Sequence, residues 1–252
     1  MLADGQQVVG WYSSAYRWFN ALQIVPSFFT LALFPIISRE IQTDIAAARR
    51  LYGMAIKIML LIALPVAAVT HILAVPLVQI VAGQEFLPAG AIALQIVVWS
   101  IPLGWMNSVT NYVLISLGLE RMQPRAFAVA VSFNIIANLI FIPFFSYQAA
   151  AVTTILSEVV LLMLFEFYLR QRMPGVRWGS MLARPLLLTG VMFAAMWAGA
   201  QLHIIIGLFF GMLIYPAGLF VLRIITNDER VFLAKLLPAG ISRRIGWTAD
   251  EP

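Results

Sequence analysis

The chain has 252 residues, 62% of them hydrophobic and 11% charged, with no cysteine and a formal charge of +5. Soluble domains average about 45–50% apolar and about 25% charged residues, so composition excludes a soluble globular domain, a disordered chain and a disulfide scaffold. It also excludes thiolate catalysis and Cys-ligated metal, and leaves an all-α polytopic membrane protein whose positive charges need a location before they imply a partner.

A bilayer core takes about 20 mostly apolar residues per helix. Seven such runs occur in chain order, at about 10–37, 52–73, 88–115, 125–145, 148–169, 185–200 and 204–225. The apolar stretch 53–83 is too long for one perpendicular span; Pro76 splits it, and 75–81 is expected to bend into the interface. Between 185 and 225 only Gln201 and His203 mark a turn, which predicts two spans joined by a tight hairpin. Five segments follow: a polar external segment 1–9, a five-helix part 10–170, a basic cytoplasmic loop 171–184, a two-helix hairpin 185–225 and a cytoplasmic tail 226–252.

Lys and Arg concentrate in cytoplasmic loops. Arg39, Arg49, Arg50 and Lys57, then Arg121 and Arg125, then Arg170, Arg172, Arg177 and Arg184, then Arg223, Arg230, Lys235, Arg243 and Arg244 all fall on one side of an alternating topology. The opposite loops, near 84–87, 146–147 and 201–203, contain none. The C-terminus is therefore expected in the cytoplasm and the N-terminus outside. The basic balance records topology, and no nucleic-acid partner is implied. Met1–Val9 lacks a positive n-region and is no signal peptide. An outward-starting first helix with nothing basic before it reads as a truncated chain. Thr226 and Glu229 have capping-box spacing before an apolar run, which suggests a short interfacial helix, with a solvated tail as the alternative.

Polar groups inside the spans are costly and mark candidate sites. Ser13, Arg17, Asn20 and Ser27 share one helical face of the first span. The forked guanidinium of Arg17 suits a phosphate or carboxylate in a water-filled cavity; snorkelling to the outer headgroups or pairing with an acid is the alternative. Asn107 and Asn111, in the third span, and Asn134 and Asn138, in the fourth, can hydrogen-bond a sugar, but also serve as interhelical glue. Glu158 lies mid-membrane beside Thr154 and Ser157 and could couple protons, pair with Arg17 or be a structural neutral carboxyl. Glu166, nearer the inner end, is expected to reach the interface. His71 and His203 lack partners at metal spacing and read as structural. The prolines at 26, 35, 65, 102, 143 and 216 supply kinks or ends. There is no HExxH, GxSxG, Walker or GxGxxG motif, so no catalytic residue, metal or cofactor is expected, and the chain is read as a non-enzyme.

Several phrases carry a family resemblance. Val9-Gly-Trp-Tyr-Ser-Ser-Ala-Tyr-Arg17 followed by Ala32-Leu-Phe-Pro-Ile-Ile-Ser-Arg39 resembles a region of the polysaccharide and lipid-linked oligosaccharide flippases, in the superfamily shared with MATE exporters. Pro76-Leu-Val, Ala82-Gly-Gln-Glu-Phe-Leu-Pro-Ala89 and Ala93-Leu-Gln-Ile96 resemble a second region, and Asn134, Asn138, Ile142-Pro143, Ala149-Ala-Ala-Val152 and Ser157-Glu158 a third. Tyr147-Gln148 stands where that pattern usually has glycines. The resemblance implies a two-lobed bundle, of which this chain would be the second lobe without its first helix plus two C-terminal helices. It implies a cavity lined by cationic side chains, a role that carries over to Arg17 alone. The expected partners are the bilayer, a lipid-linked glycan and a missing N-terminal lobe, in the cytoplasmic membrane of a prokaryote. The expected function is flipping of lipid-linked oligosaccharide for envelope polysaccharide synthesis, with Arg17, Asn20, Asn107, Asn111, Asn138 and Glu158 as candidate cavity residues. The alternatives are a cation-coupled multidrug exporter, a glycan polymerase or ligase, and an inactive fragment.

Overall fold

The computed structural model describes residues 5–176 and 178–226, together with 229 and 232, and among them all regular structure is helical. Helices α1 (Gly5–Leu22) and α2 (Ile24–Thr43) are joined through Gln23 and form one apolar segment of 39 residues. The joint falls where the sequence dictates, because Pro26 has no N–H to offer the Leu22 carbonyl. Residues 5–9 belong to α1, which corrects the expectation of a polar external loop there; Gly5-Gln-Gln-Val-Val9 contains no breaker after its glycine.

The Asp44 carboxylate accepts from Ala46 N at 2.8 Å and caps α3 (Ile45–Ile72). The short α4 (Ala74–Val81) follows, carrying Pro76 in its first turn, as the split at that proline predicted. Helices α5 (Ala89–Val97) and α6 (Ile101–Ser116) form one broken pass, interrupted at 98–100 just before Pro102.

Helix α7 (Gln123–Leu169) has 47 residues. Laid out straight it would reach about 70 Å, more than twice the hydrocarbon core of a bilayer. It reverses instead at Ser146, whose φ of 52° and ψ of −136° are non-helical. Asn134 Nδ2 donates to Ser157 Oγ at 2.8 Å, and the rings of Phe127 and Phe165 lie 5.6 Å apart, both pairs centred on that turn. Among the described residues, length and composition alone pick out six segments able to cross a membrane; the reversal within α7 divides one of them, giving seven apolar passes as the run lengths predicted.

Helices α8 (Trp178–Leu202) and α9 (Ile204–Val221) form the last hairpin. The sequence expectation began this span at Pro185, but α8 starts seven residues earlier. Met181, Leu182 and Trp178 pack on the main core and draw the helix through them, while Pro185 sits inside it. The turn is tight. His203 Nδ1 accepts from Ile205 N at 3.2 Å, and a Cβ on Gly207 would lie 2.5 Å from the Met196 carbonyl oxygen.

Helices α3, α5 and α6 are the enclosed ones, with Tyr52, Met59, Trp105 and Met106 buried between them. By contrast Leu139, Phe144 and Phe220 are 73–80% exposed on the outer faces, a distribution that only lipid makes stable. Three polar contacts fasten the last hairpin and the chain just after it to α3, one of them from Lys57 Nζ to the Ile224 carbonyl. Tyr215 Oη donates to the Leu61 carbonyl at 2.7 Å, and Lys57 pairs with Glu229 at 2.7 Å. Glu229 also accepts from Thr226 N at 2.8 Å, the contact its capping-box spacing predicted. The expected interfacial helix beyond it lies outside the described residues.

Ser146 holds a positive-φ backbone conformation that favours glycine. Ser146→Gly is expected to stabilise the detergent-solubilised protein by about 1 kcal/mol and Ser146→Val to destabilise it by at least as much, read from thermal melts.

Candidate functional site

Two polar regions meet on α1. The first is a cleft of about 380 Å³ between α1 and the two arms of α7, lined by Tyr12, Tyr16, Asn134, Asn138, Thr154, Ser157 and Glu158 among apolar neighbours. Tyr12 and Tyr16 stand one turn apart, 3.1 Å between hydroxyls, and both reach Thr154 Oγ1, at 2.9 Å and 3.3 Å. Across the cleft Asn138 Nδ2 donates to Asn134 Oδ1 at 2.9 Å, and Asn134 Nδ2 is taken by Ser157.

Glu158 is held from behind. The Nδ2 of Asn107, on α6, donates to its backbone carbonyl at 2.9 Å and to its carboxyl Oε2 at 2.7 Å. Gly104, one turn before Asn107, also faces the carboxyl: a Cβ there would sit in ordinary contact, 3.7 Å from Glu158 Cδ. One amide thus fixes both the backbone and the side chain of the second arm at the deepest acid.

The second region is the exposed stripe Ser13, Arg17, Asn20 and Ser27. Arg17 stands about 100° further round α1 than Tyr16 and points out of the cleft. Its Nη1 donates to the carbonyl of Val81, the last residue of α4, at 3.3 Å, a favourable place for a cation at a helix C-terminus. Among the described residues this is its one hydrogen bond, and it takes part in no ion pair. Of the three readings of Glu158, pairing with Arg17 is not formed: Glu158 accepts from Asn107, and Arg17 lies on another face.

The remaining candidates separate in the same way. Asn138 and Glu158 line the cleft, Asn107 supports Glu158 from behind it, Asn20 stays with Arg17, and Asn111 joins neither. The backbone carbonyl of Asn111 accepts from Gln123 Nε2 at 3.1 Å, while its Oδ1 is buried without a partner among the described residues. Asn138 Oδ1 is likewise buried and unpartnered, but it belongs to the cleft wall, where an entering donor can reach it. Sequence reasoning passed over Tyr12 and Tyr16 as site residues. Their four-residue spacing beside Arg17 was the available signal. His71 is structural, as expected: its Nδ1 lies 2.9 Å from the Gln95 carbonyl and 3.2 Å from Trp99 Nε1.

An all-helical bundle of apolar passes, with a hydroxyl- and amide-lined cleft beside an exposed polar stripe that carries Arg17, defines a multi-pass membrane protein. Residues 4–91 match the family model described as polysaccharide biosynthesis protein. Among solved structures the fold is similar to that of lipid II flippase MurJ in an inward closed conformation, with 14% sequence identity and a TM-score of 0.69. That match covers 85% of this chain and 47% of the other, so this chain spans about half the length of that flippase. No curated protein matches the sequence. Residues 4–91 thus resemble the polysaccharide biosynthesis family, and most of the chain has a fold similar to that flippase's, in agreement with the resemblance read from its phrases.

The Asn107–Glu158 contact is open to a double-mutant cycle. Asn107→Leu is expected to cost about 1–3 kcal/mol in thermal melts, because it strands a buried carboxyl and a carbonyl. Adding Glu158→Leu to it is expected to recover part of that loss.

Proposed function

We propose that this chain is the second-lobe half of a flippase that turns lipid-linked oligosaccharide or polysaccharide precursors from the inner to the outer leaflet of a prokaryotic cytoplasmic membrane. Its C-terminus faces the cytoplasm in this reading, as the placement of Lys and Arg requires. The observation that carries the reading is Arg17. It is a cation within a membrane segment, exposed, hydrogen-bonded to one carbonyl, and flanked by Ser13 and Asn20 on the same face. Lipid is a poor neighbour for that face, whereas a shared aqueous cavity closed by a second lobe is a good one. Arg17 would hold the pyrophosphate through its fork, with Asn20 and the neighbouring hydroxyls contacting sugar. The proline breaks at 26 and 102 would let the helices flex as the lobes rock.

The test is translocation of a lipid-pyrophosphate oligosaccharide by the complete protein in proteoliposomes. Arg17→Ala is expected to lower the rate about 10- to 100-fold, the worth of a lost charge-assisted contact, with Arg17→Lys in between. Unchanged flipping by Arg17→Ala would remove that residue from the mechanism.

A second reading, a cation-coupled exporter of amphipathic cations, is favoured by one observation: an acid, Glu158, beside two tyrosines in the cleft. Glu158→Gln separates the two readings. Loss of the parent protein's cationic-dye efflux in that variant would favour the exporter, whereas no efflux by the parent protein would leave the flippase. A glycan polymerase or ligase is disfavoured by the outer connections, the longest of which, at 82–88, is too short to carry a catalytic loop.

A further inference from the structure

A second cavity is larger than the polar cleft and shares no lining residue with it. It is a groove of about 700 Å³ between α3, α6, the second arm of α7 and α8, walled by Leu60, Trp99, Leu103, Met163, Leu182 and similar side chains. The charged residues that line it are Glu166 and Arg170, together at one end. The sequence expectation placed Glu166 at the interface; it is instead buried, because the chain at Gly175 crosses directly over it. A Cβ on Gly175 would lie 2.8 Å from both Glu166 Oε1 and Arg170 Nε. Glu166 Oε1 accepts from Arg170 Nε at 3.1 Å. Its other oxygen, Oε2, is buried with no partner among the described residues, while the Arg170 side chain is 58% exposed.

We propose that this groove is a binding site for one membrane phospholipid with a primary-amine headgroup, entering from the inner leaflet. Two observations select that occupant. The first is length. Along α7 the lining runs from Arg170 back to Val159, about 16 Å at 1.5 Å per residue, which is the depth of one leaflet. An acyl chain fills such a groove; a long polyprenyl chain would leave most of itself outside. The second is charge. The headgroup end offers a guanidinium for a phosphate and, beside it, a carboxylate oxygen that lacks a donor among the described residues. An ethanolamine phosphate brings both complements and is neutral overall, like the Glu166–Arg170 pair. A choline headgroup has no N–H to give, and a glycerol headgroup brings net negative charge. This site is independent of the flippase reading and would hold a resident lipid in either kind of transporter.

The experiment is native mass spectrometry of the purified full chain equilibrated with an equal mixture of palmitoyl-oleoyl phosphatidylethanolamine, phosphatidylglycerol and phosphatidylcholine. One retained lipid per chain is expected, with the ethanolamine form favoured about tenfold over each of the others. Glu166→Gln, which keeps shape and removes charge, should erase that preference while a lipid is still retained. Arg170→Ala should weaken retention of all three; if that variant does not fold, Arg170→Lys should weaken it to a smaller degree. Leu182→Trp, which fills the groove, should abolish retention in a protein whose melting temperature is unchanged. Equal retention of the three lipids, an undiminished preference in Glu166→Gln, or displacement by equimolar polyprenyl phosphate would each overturn the proposal.

Discussion

The cost of an unpartnered polar group in hydrocarbon organises this molecule. No water is available along most of its surface, so each backbone amide must be satisfied within a helix and each break in a helix needs a local substitute. The breaks obey that constraint. Asp44 supplies a side-chain acceptor where α3 begins, and His203 does the same where α9 begins. At 22–24 the break falls beside a proline that has no donor to lose. At Ser146, by contrast, the chain reverses through a conformation that costs a non-glycine residue energy, and Tyr147 is held there by an edge contact with Trp11, 5.8 Å between rings.

The same constraint sorts the polar side chains by what they can still do. Tyr12, Thr154, Asn134, Ser157, Asn107 and Glu158 satisfy one another across helices, so much of their hydrogen-bonding capacity already serves the fold. A substrate would have to displace those contacts or use what they leave over, such as Asn138 Oδ1. Arg17 spends only one donor on Val81. It is the candidate with capacity to spare, and for that reason the anion-binding reading rests on it and not on the cleft.

The passes and their order were legible in the sequence because they follow from two one-dimensional signals, apolar run length and the alternation of Lys and Arg. Those signals even separated the two arms of α7, which length alone would merge. What the sequence concealed was azimuth and depth between helices. Arg17 and Glu158 are an attractive pair on paper, yet each lies on a helix whose rotation is set by large apolar neighbours, and Asn107 reaches Glu158 first. Glu166 was misplaced for a related reason: its depth depends on the chain at 175 folding over it, and no local pattern announces that. The start of α8 was hidden by Pro185, a residue that marks helix starts in general but is overridden here by the packing of Trp178 and Leu182.

Fastening of the last hairpin brings these threads together. Most contacts of α9 are with α8, and its ties to the body combine apolar packing of Tyr215 and Leu219 around Leu61 with a few polar contacts. One of these is a tyrosine hydroxyl on a carbonyl of α3; the others come from Lys57, which pairs with Glu229 and donates to the Ile224 carbonyl. An ion pair of that kind gives little net stability once desolvation is counted, but removing one member is expensive. It therefore specifies position more than it adds strength. The tail cannot shift along α3 without stranding a charge, and α8, clasped to α9, keeps its place as one wall of the apolar groove. The shape of that groove thus depends on a polar contact at a distance from its lining.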